Sequence, residues 1–174
     1  MSTILNTNGT SVQVPVLNKK VAGKFYVITA DWNSKITYAL RDAAAGVLRR
    51  AGVEKDKIIQ LTVPGTVELV NAAALALRTG KSPSASCSAD ATEGVIVIGC
   101  VIRGDTPHFD YVCQVAAQGV AELNAKGDAP VIFGVLTVNK EQEAIDRAGG
   151  YLGNKGAEAA VAAIEMANLH ATIK

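Results

Sequence analysis

Apolar and polar residues fall in blocks along this chain, and the blocks repeat one order four times. The run KFYVITA, Lys24 to Ala30, is short, apolar and rich in β-branched residues, and reads as a buried strand. After it comes KITYALRDAAAGVLRRAG, where Ile36, Leu40, Ala43, Val47 and Leu48 recur at helical spacing until Gly52 stops the pattern. The pair then recurs. KIIQLTV, closed by Pro64-Gly65, precedes TVELVNAAALALRTG, whose Leu69, Val70, Ala73 and Leu77 share one helical face. VIVIGCVI, the most apolar strand, precedes the helix HFDYVCQVAAQGVAELNAKG. PVIFGVLTV precedes KEQEAIDRAGG and GAEAAVAAIEMANLHATIK, which read as two terminal helices split by GYLGN.

Continuous apolar strands signal burial on both faces, and strand-helix alternation predicts a parallel sheet covered on both sides through right-handed crossovers. The expected class is α/β: a flavodoxin-like three-layer α/β/α sandwich around a four-stranded parallel sheet. The first 20 residues are polar apart from VQVPVL, a short alternating piece that reads as an arm or as an N-terminal strand extending the sheet. Residues 21–174 then form a single domain. The stretch KSPSASCSADATEG, residues 81–94, reads as a long polar loop.

Composition narrows the function. A chain of 174 residues with 49% hydrophobic and 19% charged residues suits one domain with a real core. A formal charge of +1 without a basic stripe argues against nucleic-acid binding. The longest apolar run, Gly94 to Ile102, is far short of the ~20 residues a membrane helix needs. MSTILNTNGTSVQV lacks the order of a signal peptide, so a cytoplasmic protein with no membrane segment is expected. Cys87, Cys100 and Cys113 are odd in number and show no C-x-x-C spacing, which reads as reduced thiols. With two histidines and no Cys/His cluster, no metal site is expected. The common nucleotide and hydrolase fingerprints, GxGxxG, GxxxxGK[ST] and GxSxG, are absent.

In an open α/β sheet, ligands bind beyond the carboxyl ends of the strands. Asp31, Trp32 and Asn33 follow the first strand, and Pro64, Gly65, Thr66 and Glu68 the second. Arg103, Gly104, Asp105, Thr106 and His108 follow the third, and Leu136 and Thr137 close the fourth. The sole tryptophan and the non-terminal histidine thus share one edge. In Thr106-Pro107-His108, proline favours the first helical position and pushes Thr106 towards an N-cap. The unpaired N–H groups of that turn, at the positive end of the helix dipole, make an anion site with His108 beside it. Taken singly, each residue also has a plain reading. His108 is equally a polar surface residue, Trp32 a rim filler, Glu68 a helix-dipole partner and Arg147 a solvated last-turn cation.

Together, GCVIRGDTPHFDYVC, VPGTVEL, PVIFGVLT, AIDRAGG and GNKGAEAA, in this order and spacing, closely resemble the 6,7-dimethyl-8-ribityllumazine synthase family. The match runs from about Phe25 to the C-terminal helix. The resemblance implies a cytoplasmic transferase of riboflavin biosynthesis without metal or redox cofactor. It joins 5-amino-6-(D-ribitylamino)uracil to 3,4-dihydroxy-2-butanone 4-phosphate, releasing phosphate and water. It implies that Trp32 stacks on the pyrimidine, with Asn33 adjoining. Thr66, Val67 and Glu68 would hold the ribityl chain, and the backbone of Cys100, Val101 and Ile102 the pyrimidine. Asp105 and Thr106 match the phosphate loop, His108 the proton donor, and Arg147 the phosphate-binding arginine. Phe133 matches a residue that closes the pocket from the adjacent subunit, and Lys155 and Glu158 lie in the helix turn nearby.

Some positions depart from the family pattern. Asp105 brings a carboxylate to a phosphate loop, so its side chain is expected to turn towards Arg103 or a backbone cap. The stacking residue is Trp where Phe is common, Tyr151 replaces a frequently basic residue, and the 81–94 loop is long. The resemblance further implies a homo-oligomer with sites between subunits. That oligomer is a pentamer or, since AGGYLGNKGAEAA carries no insertion, an icosahedral capsid of 60 copies, with riboflavin synthase as a partner. The rival reading is a non-catalytic lumazine- or flavin-binding protein on the same scaffold. It would keep Trp32 and Glu68 but lose His108 or Arg147, and both are present.

Overall fold

The structure, a computed structural model, describes residues 12–79 and 90–173. Strands β1 (Lys24–Ala30), β2 (Ile58–Val63), β3 (Thr92–Ile102) and β4 (Val131–Val138) form one parallel sheet in the order β2-β1-β3-β4. Helices α1 (Ser34–Arg50), α2 (Glu68–Thr79) and α3 (His108–Ala125) follow the first three strands, and α4 (Glu141–Arg147) and α5 (Lys155–Ile173) follow the fourth. This is the expected flavodoxin-like α/β arrangement. Among the described residues, no helix is long and apolar enough to cross a membrane.

Side chains of a strand alternate between the two faces of its sheet, so each central strand feeds two cores. Phe25 and Val27 of β1, Ile96 and Ile98 of β3, and Leu136 and Val138 of β4 join Leu40, Val47, Leu48, Ala160 and Ile164 on the α1/α5 side. Ile28, Ala30, Val95, Val97 and Val135 join Leu69, Leu77, Val120 and Leu123 on the α2/α3 side. Continuous apolar strands are thus explained: neither face meets water. The exceptions are the edge strands: Gln60, Leu61 and Thr62 of β2 and Phe133 and Thr137 of β4 are exposed.

Three local readings change. Residues 148–150, read as the end of a helix, form strand β5 (Ala148–Gly150), paired with β6 (Gly153–Asn154) in a tight antiparallel hairpin. Gly149 and Gly153 stand at φ 116° and 78°, so the helix cannot continue through them. The 81–94 loop loses its last three residues, because Thr92, Glu93 and Gly94 belong to β3, with Thr92 opposite Lys24. The Glu93 carboxylate accepts the Gly23 N–H at 3.0 Å and the Ala22 N–H at 3.2 Å. The rest of that loop through residue 89, with Cys87, lies outside the described residues, as do residues 1–11. Residues 12–18 do not pair with the sheet. Val12, Val14 and Leu17 pack on the α1/α5 core instead, and Asn168 of α5 ties the segment by bonds to the Asn18 N–H and the Val16 carbonyl.

Helices α1 and α5 approach closely because the facing positions of α5 are small. A Cβ at Gly156 would run into the Leu40 carbonyl, 2.6 Å from its carbon and 2.7 Å from the Leu40 Cα. Both neighbours are backbone, so α5 must shift to admit even one methyl group. Gly156→Ala is therefore expected to lower unfolding free energy by about 1–3 kcal/mol despite alanine's better helix propensity. Urea unfolding of the two chains measures it.

Candidate active site

Beyond the end of β1 the chain keeps to the path of β2 for two more residues. The Asp31 N–H donates to the Val63 carbonyl at 2.8 Å, and the Trp32 N–H to the Pro64 carbonyl at 3.2 Å. Asn33 then adopts the left-handed conformation, φ 59° and ψ 40°, which asparagine tolerates, and turns the backbone into α1. Its amide donates to the Cys100 carbonyl at 2.9 Å. Trp32 is left 68% exposed. Its indole lies beside Gly65, where a Cβ would come within 3.2 Å of the ring and 3.0 Å of the Glu68 carboxylate. Trp32, Gly65 and Glu68 therefore form one wall. Thr66 is buried over Gly99, whose missing Cβ makes room for its hydroxyl, and Val67 faces solvent.

Strand β3 outruns its neighbour. Its pairing with β1 ends at Ile98, opposite Thr29, whereas Gly99, Cys100, Val101 and Ile102 pair with β4. Backbone groups on the β1 side of this overhang are open to a ligand, the Cys100 carbonyl already receiving Asn33. The Cys100 thiol points to other work than catalysis. It is buried, and desolvation, aided by Glu141, pushes its pKa up to about 11, so it stays neutral.

Past the overhang, Arg103 ties three elements together. Its N–H donates to the Val138 carbonyl at 2.9 Å, and its guanidinium to Asn139 Oδ1 and Asp110 Oδ1, each at 3.1 Å. The same group lies 4.1 Å from the centroid of the Phe109 ring. Residues 104–107 loop out from this clamp, all exposed, with exposed His108 opening α3. Pro107 takes helical angles (φ −62°, ψ −5°), as expected of a first helical position, while no side-chain hydrogen bond caps the turn. One expectation changes here. Asp105 does not turn to Arg103, whose guanidinium is held by Asp110 and Asn139. The first-turn N–H groups of α3 are left uncapped by any side chain, as an anion site requires.

Along the open edge of β4 runs a cavity of about 710 Å³, lined by residues 132–138 with Glu143, Arg147, Lys155 and Glu158. Phe133 is 40% exposed there. Arg147 donates one N–H to the Glu143 carbonyl at 2.8 Å, and Lys155 meets both Glu158 oxygens at 2.8 and 2.9 Å. The structure thus groups Trp32, Thr66 and Glu68; Asn33 with Cys100; Asp105, Thr106 and His108 on one loop; and Phe133, Arg147 and Lys155 in the β4 cavity. Trp32, Glu68 and His108 do not line that cavity. Sequence reasoning missed Asn139, Phe109 and Asp110 as the anchors of the His108 loop. The seven-residue spacing of Arg103 and Asp110 was visible, but only the loop's return makes them neighbours. Among the described residues, no three His, Cys, Asp or Glu side chains gather to hold a metal ion.

The model of the family 6,7-dimethyl-8-ribityllumazine synthase matches residues 22–171. Among curated relatives, the 6,7-dimethyl-8-ribityllumazine synthase of Bacteroides fragilis is 47% identical over 82% of this chain and 93% of its own length. That of Porphyromonas gingivalis is 48% identical over 82% and 83%, and that of Cytophaga hutchinsonii 42% over 92% and 93%.

The Cys100 shift has a consequence for stability. The folded chain keeps a proton that the unfolded chain releases near the ordinary thiol value of 9.0, so the contribution is complete below pH 9 and is lost as pH rises towards about 11. Urea unfolding at pH 8, 9.5 and 10.5 should show this decline, and Cys100→Ala should flatten it. An equal decline in the variant would remove Cys100 as its source.

Proposed function

This chain belongs to the 6,7-dimethyl-8-ribityllumazine synthase family, and we propose that it works through a site with two walls, one from each of two neighbouring copies. The protein is a transferase of riboflavin biosynthesis. It condenses 5-amino-6-(D-ribitylamino)uracil with 3,4-dihydroxy-2-butanone 4-phosphate to 6,7-dimethyl-8-ribityllumazine, releasing phosphate and water. One observation carries the two-wall reading: the cavity that holds Arg147 and Lys155 opens along the free edge of β4 and includes none of Trp32, Glu68 or His108. A ring in which the β4 edge of one copy meets the Trp32 wall of the next brings both sets to one space.

In this reading the uracil ring stacks on the Trp32 indole, and its polar edge meets the backbone overhang at Cys100, Val101 and Ile102. Glu68 takes ribityl hydroxyls, with Thr66, Val67 and Asn33 framing the chain. The phosphate of the second substrate sits at the mouth of α3, between Asp105-Thr106 of one copy and Arg147 of the other, whose fork suits a bidentate grip. Phe133 and Lys155 close the same side. The C5 amine of the pyrimidine attacks the ketone carbon, and loss of water gives an imine. The proton on the hydroxyl-bearing carbon then leaves, and the neighbouring phosphate C–O bond breaks as inorganic phosphate carries off its electron pair, which leaves an enol. That enol takes up a proton at its terminal carbon to become a methyl ketone. The ribitylamine nitrogen attacks this new carbonyl, and a second water departs as the ring closes. His108, exposed at the mouth of α3 beside the phosphate, donates and recovers the protons of these steps.

Both substrates are reactive without help, so holding them together contributes most. Proximity is worth up to about 7–11 kcal/mol. Positioned proton transfer is typically worth ~10²–10⁴ in rate. We also infer cytoplasmic pentamers, riboflavin synthase downstream, and, from the tight hairpin with Tyr151 and Leu152 at its tip, twelve pentamers closing into a 60-copy shell. Sedimentation of the native particle tests the copy number.

Two outcomes test the site. His108→Ala should slow turnover by no more than about 10²–10⁴. A fall to the uncatalysed rate with both substrates still bound would reverse the ranking of proximity over proton transfer. Trp32→Ala and Arg147→Ala chains, each nearly inactive alone, should regain about a quarter of full activity when coassembled one to one, because a ring then forms some intact sites. No recovery would place both walls in one chain.

A further inference from the structure

We propose that Tyr38 is a positioning residue that fixes the stacking face of Trp32 by holding Asp31, an inference that rests on the stacking role given to Trp32 above. The problem it solves is physical. An indole 68% exposed cannot be held by packing, so its pose depends on the backbone that carries it. Residues 31–33 lie past the last ladder pair of β1, Ala30 with Val63, and make a left-handed turn at Asn33. Their tethers to β2 are two N–H bonds, the second stretched to 3.2 Å.

Tyr38, one turn into α1, adds the tether with the best geometry. Its hydroxyl donates to Asp31 Oδ1 at 2.6 Å, the short distance of a bond to a charged acceptor. The Arg41 guanidinium stacks over the same ring at 4.1 Å. The phenol therefore joins the residue that follows β1 to the first turns of α1. Asp31 lies next to Trp32 in sequence, so anchoring its carboxylate sets the direction in which the indole leaves the backbone. Arg41 is itself held by Asp42 at 2.8 Å.

Tyr38→Phe keeps the ring and its stacking but removes the hydroxyl. Trp32 is the only tryptophan in the chain, so its emission reports the local change directly. Time-resolved fluorescence anisotropy of the free enzyme should show faster local motion of the indole in the variant. The KM for the ribitylaminouracil should rise about 3- to 10-fold, the loss expected when one charge-assisted hydrogen bond no longer orders a contact. The KM for the phosphate substrate and the native particle mass should stay as they are. Asp31→Asn should reproduce both effects, and it decides the matter if Tyr38→Phe does not assemble. Unchanged anisotropy and KM in these variants would overturn the clamp. Trp32→Ala separates the two ideas: if it raises the same KM while the clamp variants do nothing, stacking stands and the clamp falls. If it leaves that KM unchanged, stacking falls, and anisotropy alone judges the clamp.

Discussion

The polar chemistry of this molecule answers to a sheet whose centre has no wet face. Helices cover β1 and the middle of β3 on both sides, and their side chains alternate between two apolar cores. A buried ionic group without a partner would cost several kcal/mol, so chemistry is driven to the ends of the strands. There the helix that follows each strand presents its N-terminus, and the backbone runs out of ladder partners. The overhang of β3 carries this furthest. Four residues of its backbone lack a strand partner on one side, the Cys100 carbonyl there being met by the Asn33 amide, and in the proposed site these groups would face the uracil at fixed spacing and at no cost in side-chain entropy.

The features around that overhang follow from close approach. Thr66 can sit over β3 because Gly99 has no side chain, and the Trp32 indole can lie beside the second turn because Gly65 has none. A larger residue at either position would push Thr66 or Trp32 outward. The Arg103 clamp does the same for the third turn, using charge instead of space. It holds the loop of Asp105, Thr106 and His108 by its base and leaves the tip exposed.

Much of this was legible from residue order. Strands buried on both faces announce themselves as unbroken apolar runs, and helices such as α1 by the recurrence of Ile36, Leu40 and Val47, because tertiary burial imposes those periods. The residues facing the ligand edge were legible for the same reason, since they directly follow strands. What escaped was set by local angles or by chain return. Ala148-Gly149-Gly150 looked helical because Ala144, Ile145 and Arg147 before it are, yet two left-handed glycines fold it into a hairpin. Thr106 has the chemistry of a cap, yet no side-chain hydrogen bond closes the first turn of α3. Asp105 and Asp110 compete for one arginine, and sequence distance favours the wrong one: Asp110 is reached only because α3 folds back over Arg103.

A site divided between copies also explains how charge is distributed along the edge. The first-turn amides of α3 supply one partial positive field for the phosphate, and an acidic residue, Asp105, sits beside them in solvent. By themselves these would hold a dianion poorly. In the proposed arrangement the missing charge comes from Arg147 of the neighbour, already oriented by its bond to the Glu143 carbonyl. On that arrangement an isolated copy would have a weak phosphate site, and full affinity would exist only in the ring. Asp105, exposed in the same loop, would then weaken the grip on inorganic phosphate as well as on the substrate, so the arginine of the neighbour has to supply the charge that the loop itself lacks.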